Sequence, residues 1–209
     1  MKESKSRVEA ISDSIFAFAA TLVVVSLDIP EDFTELKASL GSFIPFGISF
    51  FALVMIWRTH YNFFRRSQFV DTWVIALNMM MLFVVLFYVY PLKFLANLAF
   101  GEAKISGWDQ FAELFELYSL GFAAIFFFLG MMYFAAARKP ATNAKLMRFW
   151  GRHFLIFTGM GILSIILSLT GVGLRIGLPG FVYALLGPLC YLHARLYGGA
   201  TETEEDATE

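Results

Sequence analysis

Long apolar stretches alternate with short polar segments along most of the chain. A helix needs about 20 residues to cross a hydrocarbon core of about 30 Å. Each span must satisfy its own backbone hydrogen bonds in lipid, and these stretches show no strict alternation of apolar and polar residues, so we expect helices rather than strands. Six stretches are long enough, at residues 8–29, 41–64, 70–98, 110–137, 150–171 and 176–197.

Polar, proline-containing or glycine-containing segments mark the breaks between the stretches. They read DIPEDFTE, RRSQ, FGEAKISGWDQ, RKPATNAK and GVGLRIGLPG in chain order. The last segment, GGATETEEDATE at residues 198–209, is acidic and lacks large apolar residues, which predicts a disordered tail. The pattern therefore predicts one six-helix membrane domain, residues 1–197, followed by that tail.

Composition supports a membrane protein and excludes several other classes. Of the 209 residues 58 % are hydrophobic and 16 % are charged, whereas soluble domains have about 45–50 % and about 25 %. We therefore expect an all-α integral membrane protein. The net charge of −1 and the absence of a basic stripe predict no nucleic-acid partner. The three histidines lie in three different spans and Cys190 is the single cysteine, so we expect no cofactor and no resident metal.

Lysine and arginine positions predict the orientation in the membrane. With a cytoplasmic N-terminus, eleven of the 16 lysines and arginines fall in inside segments and four outside, while Arg58 lies within the second span. Cytoplasmic segments of membrane proteins carry such an excess. Both termini are therefore predicted to be cytoplasmic, which agrees with an even number of spans.

The first stretch carries a narrow, mainly apolar stripe. At about 100° per residue, Ile11, Ser14, Phe18, Leu22 and Val25 fall within about 40° of one direction on a helix. Such a stripe is typical of ordinary helix packing. It also fits a helix that faces its own copies around an axis, and the residues alone leave both interpretations open.

Charges at the start of the same stretch need a separate explanation. A carboxylate within a span costs about 2.5 to 3.5 kcal/mol on insertion scales, so Asp13 is expected to have a partner. We expect a buried structural network that links Asp13 to Arg7 or to His60 of the second span. A proton relay through Asp13 and His60 is the alternative, and Arg7 also fits a simple topology anchor at the membrane surface.

The start of the first stretch resembles a known family. Arg7, Ser12 and Asp13 lie in RVEAISD, which is similar to the R-x-x-x-F-S-D signature of the transmembrane protein 175 family, potassium channels of endosomes and lysosomes with bacterial homologues. The resemblance continues through AATLVVVSLDIP, a W-x-x-H pair in the second span and residues 78–91. It covers the first three spans in sequence and the last three in topology. Ile11 stands where the family usually has phenylalanine, so the packing behind the signature is expected to differ.

The resemblance implies a homotetramer whose first helices line a central pore. The sequence has no T-V-G-Y-G filter. Counting from the matched aspartate places the family's apolar constriction at Phe18, Leu22 and Val25, with a hydroxyl layer at Thr21. Asp28 at the outer end then forms either an acidic ring that attracts cations or a solvated helix end.

The implied function is a potassium-permeable, weakly selective monovalent cation channel of the bacterial inner membrane, not an enzyme. Its permeant ions are K⁺ and other monovalent cations such as Na⁺, and its partners are its own copies and the lipid bilayer, with no small-molecule substrate. The runner-up is a proton-coupled secondary transporter that uses Asp13 and His60. A membrane enzyme or scaffold would need a convergent polar pocket, for which the later spans offer Arg148, Arg152 and His153 near the cytoplasmic surface.

Overall fold

The computed structural model describes residues 2–25, 27, 30–67, 70–139 and 142–198, which are helical with short connections and contain no strand. Five helical segments of this part are long and apolar enough to cross a membrane, which makes the chain a multi-pass membrane protein. The α-helices are α1 Lys2–Val25, α2 Phe33–Ser39, α3 Phe43–Arg66, α4 Thr72–Ala99, α5 Trp108–Ala136, α6 Ala144–Thr170, α7 Leu178–Phe181 and α8 Leu186–Tyr197.

The sixth predicted span differs from the other five. Its helical backbone is divided into α7, a 3₁₀ segment at Val182–Leu185 and α8. Pro188 lies in the first turn of α8 and has no N–H to donate to the carbonyl of Ala184, so one α-helical hydrogen bond is missing where the 3₁₀ segment meets α8. The prediction of helical structure over residues 176–197 is confirmed for most of this stretch. No helix in it is among the five in the described part of the chain that are long enough to cross a membrane.

Side chains from the polar breaks start three of the helices. The carboxylate of Asp32 accepts from the Glu35 N–H at 2.8 Å, and that of Asp71 accepts from the Val74 N–H at 2.9 Å. Asn143 caps α6 in the same way. Each cap satisfies a backbone donor that the first helical turn leaves without an intrahelical partner. The helix α2, which begins at Asp32, lies in a segment that the sequence predicts only as a break.

The long helices pack side by side in an order that leaves α1 at one edge. Helix α1 contacts α3 and α4, α4 contacts α5, and α5 contacts α6, which in turn carries α7 and α8. The approach of α5 to α6 is close: a Cβ on Gly161 would lie 2.8 Å from the Ala123 Cβ and 3.0 Å from the Ser119 carbonyl oxygen. Small residues permit such close packing where no hydrophobic effect drives helices together in lipid.

Aromatic and cationic side chains hold the C-terminal end of α3 against α1, α5 and α6. The ring of Phe63 stands edge-on to that of Tyr133 with 5.0 Å between centroids, and both side chains are fully buried. Arg66 donates to the Tyr133 hydroxyl at 3.4 Å and lies 4.0 Å from the ring centroid of Trp150. At the same end, the Lys5 ammonium of α1 donates to the carbonyl oxygen of Phe64 at 2.6 Å. These contacts fix one end of α1 against the bundle.

Candidate functional site

Helix α1 has a covered face and an uncovered face. The covered face packs against α3 and α4, and its buried residues are Val8, Ser12, Phe16, Ala19 and Val23. The side chains on the uncovered face are exposed; they belong to Arg7, Ile11, Ser14, Phe18, Thr21 and Val25. This division follows the helical period, because the mean directions of the two sets differ by about 140°.

Apolar side chains occupy half of the positions on the uncovered face, at Ile11, Phe18 and Val25. Phe18 is 56 % exposed and Val25 is 72 % exposed. Leu22 differs from these two: it is partly buried and packs against the core of the subunit. On a helical wheel Leu22 lies about 40° from Phe18 toward the covered face, so it sits at the border between the two faces. Within one subunit the structure therefore leaves Phe18 and Val25 without cover.

The two hydroxyl groups on the uncovered face are oriented by their own helix. Ser14 donates to the Ala10 carbonyl at 2.8 Å, and Thr21 donates to the Ala17 carbonyl at 2.9 Å. Since each hydroxyl hydrogen is used in this bond, each oxygen is left as an acceptor for groups beside the helix. An oxygen acceptor on an exposed apolar face is chemically suited to a cation.

A chain of buried hydrogen bonds holds the covered face. The His60 Nε2 and the Asn78 Oδ1 are 2.7 Å apart, and the Asn78 Nδ2 donates to the Ser12 Oγ at 2.9 Å. Ser12 in turn donates to the carbonyl oxygen of Val8 at 2.8 Å. These directions are mutually consistent only if His60 is the donor to Asn78 through Nε2. One side chain from each of α1, α3 and α4 thus meets in a fully buried polar contact.

Aromatic rings enclose the imidazole of His60. The ring of Phe16 lies 5.3 Å and that of Phe64 4.9 Å from the imidazole, centroid to centroid. The second ring nitrogen, Nδ1, has no hydrogen-bond partner among the described residues. In the described residues no group of three or more histidine, cysteine, aspartate or glutamate side chains could hold a metal ion. His60 is therefore built into a packing network.

Asp13 has a partner that differs from the expected ones. Its Oδ1 accepts from the indole Nε1 of Trp57 at 2.8 Å, and the carboxylate remains exposed in the subunit. The described residues show no hydrogen bond or ion pair from Asp13 to Arg7 or to His60, and Arg7 is exposed on the uncovered face. Arg7 lies about 120° around the helix and about 9 Å along it from Asp13, which explains the separation. The indole of Trp57 was missed at the sequence level, although its place one turn before His60 puts it on the face of α3 toward α1.

Asp28, predicted at the outer mouth, and residues 199–209 of the predicted tail lie outside the described residues. The end of the bundle beside the half-buried Leu27 contains a cavity of about 230 Å³. Ser42 at its wall donates to the Glu102 carboxylate at 3.1 Å.

Comparison with known proteins places these features in a family. The family whose description is "Endosomal/lysosomal potassium channel TMEM175" matches residues 7–88. A protein of Marivirga tractuosa named a potassium channel is 34 % identical over 217 residues, which cover 93 % of this chain and 88 % of that protein. A potassium channel of Streptomyces collinus is 28 % identical and covers 87 % of this chain and 93 % of its own length.

Two solved structures resemble the whole subunit. A crystal structure of a variant of the potassium channel MtTMEM175 superimposes with a TM-score of 0.78 at 32 % identity, and covers 92 % of this chain and 93 % of that one. The structure of a lysosomal potassium-selective channel TMEM175 homologue from Chamaesiphon minutus has the same fold, with a TM-score of 0.65 at 22 % identity over 90 % of this chain.

The fold and the two-faced first helix define a multi-pass helical membrane protein of the channel class, not an enzyme. The chain belongs to the TMEM175 family, because a relative above 30 % identity matches it over almost its whole length.

Proposed function

We propose that this protein is a potassium-permeable, weakly selective monovalent cation channel in which four copies of α1 surround a central pore. Its relatives named potassium channels support permeation by K⁺. The observation that carries the pore assignment is the uncovered face of α1, on which Phe18 and Val25 are 56 % and 72 % exposed in the isolated subunit. We place the channel in the bacterial inner membrane with both termini in the cytoplasm, in keeping with the excess of inside lysines and arginines.

The chemistry of this face supports a hydrophobic constriction. Rings of apolar side chains can close a pore by excluding water, without a steric plug. Phe18 and Val25, which are about two turns apart, form two such rings in the proposed tetramer. Leu22 lies between them at the border of the two faces, and forms the third ring when α1 turns by a small angle or when its side chain extends toward the axis.

Weak selectivity follows from what this face offers to an ion. Apolar side chains provide no ligands to replace the water around a cation, so they discriminate little between K⁺ and Na⁺. The hydroxyl oxygen of Thr21 lies between the rings as an acceptor and provides a coordinating layer with few ligands. Asp28 concentrates cations at the outer mouth in this proposal.

Single-channel recording in planar bilayers with opposing K⁺ and Na⁺ gradients tests the proposal. Replacing Phe18 with alanine widens and hydrates the proposed constriction, so we expect a higher unitary conductance with little change in the K⁺/Na⁺ permeability ratio. The matched control is Phe87→Ala, since Phe87 on α4 is similarly exposed at 61 % and lines a groove between α4 and α5. Equal effects of the two substitutions, or no cation current from the parent protein, would contradict the proposal.

The transporter alternative requires a proton path between Asp13 and His60. Asp13 accepts from Trp57 and His60 donates to Asn78, and no hydrogen bond joins the two residues in the described part of the chain. We therefore keep the channel as the one proposed function. A saturable, substrate-specific counterflow in reconstituted vesicles would favour the transporter instead.

A further inference from the structure

A cationic groove lies between the end of α5 and the start of α6. It has a volume of about 450 Å³, and its walls are formed by Met131, Phe134, Ala137, Arg138, Arg148 and Arg152. Helix α1 packs against α3 and α4, so the groove is on a different part of the subunit from the helix proposed to line the pore.

Three guanidinium groups border this groove without a balancing carboxylate. Arg138, Arg148 and Arg152 are exposed, and none of them forms an ion pair with a described residue. The adjacent acid, Asp71, is already paired with Lys139 at 2.6 Å. Arginine binds phosphate oxygens through two parallel hydrogen bonds, so three of them around one groove form a site for an anionic phosphate group.

The wall of the groove at Phe134 is apolar. Phe134 lies directly on the backbone of α6: a Cβ on Gly151 would come within 2.9 Å of the Phe134 Cζ. Gly151 stands between Arg148 and Arg152, so the absence of a side chain there lets the aromatic ring form a floor beneath both guanidinium groups. Leu155, one turn further along α6, is 37 % exposed and continues the apolar surface into the span.

A second groove lies next to the first, on the other side of Phe134. It has a volume of about 470 Å³ and shares Met131, Phe134 and Arg138 with the first groove. Its remaining lining consists of apolar side chains, among them Leu77 and Phe127, and of the Asp71–Lys139 ion pair. The two grooves therefore lie on either side of Phe134 and meet at one cationic rim, which is formed by Arg138, Arg148 and Arg152.

We infer that this rim and its two grooves bind an anionic phospholipid. The phosphate lies among Arg138, Arg148 and Arg152, and the upper parts of the acyl chains occupy the grooves beside Phe134. Basic pockets between membrane-spanning helices at the cytoplasmic side are suited to such headgroups. The apolar side chains beside the arginines favour a lipid over a soluble phosphate, because inorganic phosphate has no apolar part that could pack against them. The inference does not depend on the proposed channel activity.

Lipid binding by the purified full-length protein tests this assignment. Native mass spectrometry would compare dioleoyl-phosphatidylglycerol with dioleoyl-phosphatidylcholine, which has the same chains and no net charge. We expect the groove variant Arg138→Gln, Arg148→Gln, Arg152→Gln to lose affinity for phosphatidylglycerol by about a hundredfold. A matched variant removes three exposed charges that do not line the groove, through Arg65→Gln, Lys145→Gln and Arg195→Gln. It is expected to bind this lipid within about twofold of the parent.

Several outcomes would overturn the assignment. Unchanged binding by the groove variant would remove the site, and equal losses in the two triple variants would show a general effect of charge. Displacement of phosphatidylglycerol by millimolar inorganic phosphate would identify a soluble anion as the ligand. If the triple variant elutes as aggregate in size exclusion, the single variants Arg148→Gln and Arg152→Gln decide, each with an expected loss of about fivefold.

Discussion

His60 and Asn78 form a hydrogen bond of 2.7 Å that joins α3 to α4 in the fully buried part of the bundle. Asn78 continues the chain by donating to Ser12 of α1 at 2.9 Å. The Asn78 amide bonds to both His60 and Ser12, and it uses a different atom for each. The orientation of α1, and with it the direction of its uncovered face, therefore depends on a residue of α4.

Replacing Asn78 with alanine should lower the free energy of unfolding by about 2 kcal/mol, because a buried donor on His60 and the Ser12 hydroxyl oxygen both lose their partner. Denaturation by sodium dodecyl sulfate in mixed micelles measures this change. Asn62→Ala is the control, since Asn62 lies near one end of α3 and is only partly buried. A parent-like unfolding curve for Asn78→Ala would show that the buried chain is not a stabilising contact.

Trp57 and Asp13 should act together in stability rather than in ion selectivity. Trp57→Phe removes the indole donor of the 2.8 Å bond, and Asp13→Asn removes the charge that strengthens it. We expect each change to lower the free energy of unfolding by about 1 to 2 kcal/mol, and the double variant to lose less than the sum. The K⁺/Na⁺ permeability ratio of each intact variant should equal that of the parent. Trp73→Phe is the control, since Trp73 is 74 % exposed. Loss of proton coupling in an otherwise intact Asp13→Asn protein would instead favour the relay.

Val25 and its neighbour Val24 provide a matched pair within the proposed pore helix. Both are exposed, at 72 % and 49 %, but they point about 100° apart. Val25→Ser places a hydroxyl on the proposed constriction, where it favours water, so we expect an increased closed-state leak of K⁺ from reconstituted vesicles. Val24→Ser should leave the leak unchanged. A larger effect from Val24→Ser would mean that a different face of α1 meets the axis.

Lys139 and Asp71 should make stability depend on pH at the membrane surface. The hydrogen bond from Lys139 lowers the pKa of the Asp71 carboxyl below its ordinary value. A lowered folded-state pKa stabilises the protein above the ordinary aspartate value of about 4, and this contribution is lost as the pH falls through the folded-state pKa.

The pair is partly exposed, so we expect Lys139→Gln to cost only about 0.3 to 1 kcal/mol near pH 7. As the pH is lowered from 6 through the folded-state pKa of Asp71, the free energies of unfolding of the parent and the variant should converge. Lys145→Gln, which removes an exposed charge from the start of α6, should run parallel to the parent over the same range. A constant difference between Lys139→Gln and the parent at every pH would exclude the ion pair as its cause.

Gly161 and Gly159 of α6 should respond in opposite ways to alanine. A Cβ on Gly161 would overlap the α5 backbone and the Ala123 side chain, so Gly161→Ala should cost about 1 to 3 kcal/mol. At Gly159 a Cβ would meet no atom within 4 Å, and alanine favours the helix, so Gly159→Ala should be neutral or stabilising by up to about 1 kcal/mol. Parallel unfolding in mixed micelles gives both values. Equal stability of the two variants would mean that α5 and α6 separate at little cost.

Much of the fold could be predicted because a membrane makes simple demands on sequence. The length and apolar composition of the stretches identified the five helices that can span a bilayer, and the polar breaks hold the caps Asp32, Asp71 and Asn143. The division of the sixth stretch had a signal in Pro188, which hydropathy alone does not register. The RVEAISD segment indicated the family, because it places charged residues at the start of a membrane span, and such residues are uncommon there.

Partners within the site could not be predicted with the same success. Charge complementarity suggested Arg7 or His60 for Asp13, but the helix puts Arg7 on another face and the packing against α3 brings the indole of Trp57 into reach. A neutral donor such as an indole leaves no mark in a charge pattern. Asn78 was visible as a polar residue in an apolar span, although its two partners depend on where α1 and α3 meet α4.

The sequence by itself determined that α1 spans the membrane and that Phe18, Leu22 and Val25 share one direction, because helical period and lipid solvation act within a single segment. Tertiary structure decided which half of α1 is covered. Packing on α3 and α4 buries Phe16 and Ala19, leaves Phe18 and Val25 open and puts Leu22 at the border. That choice depends on the shape and hydrogen bonds of three helices together, and no pattern along one helix contains it.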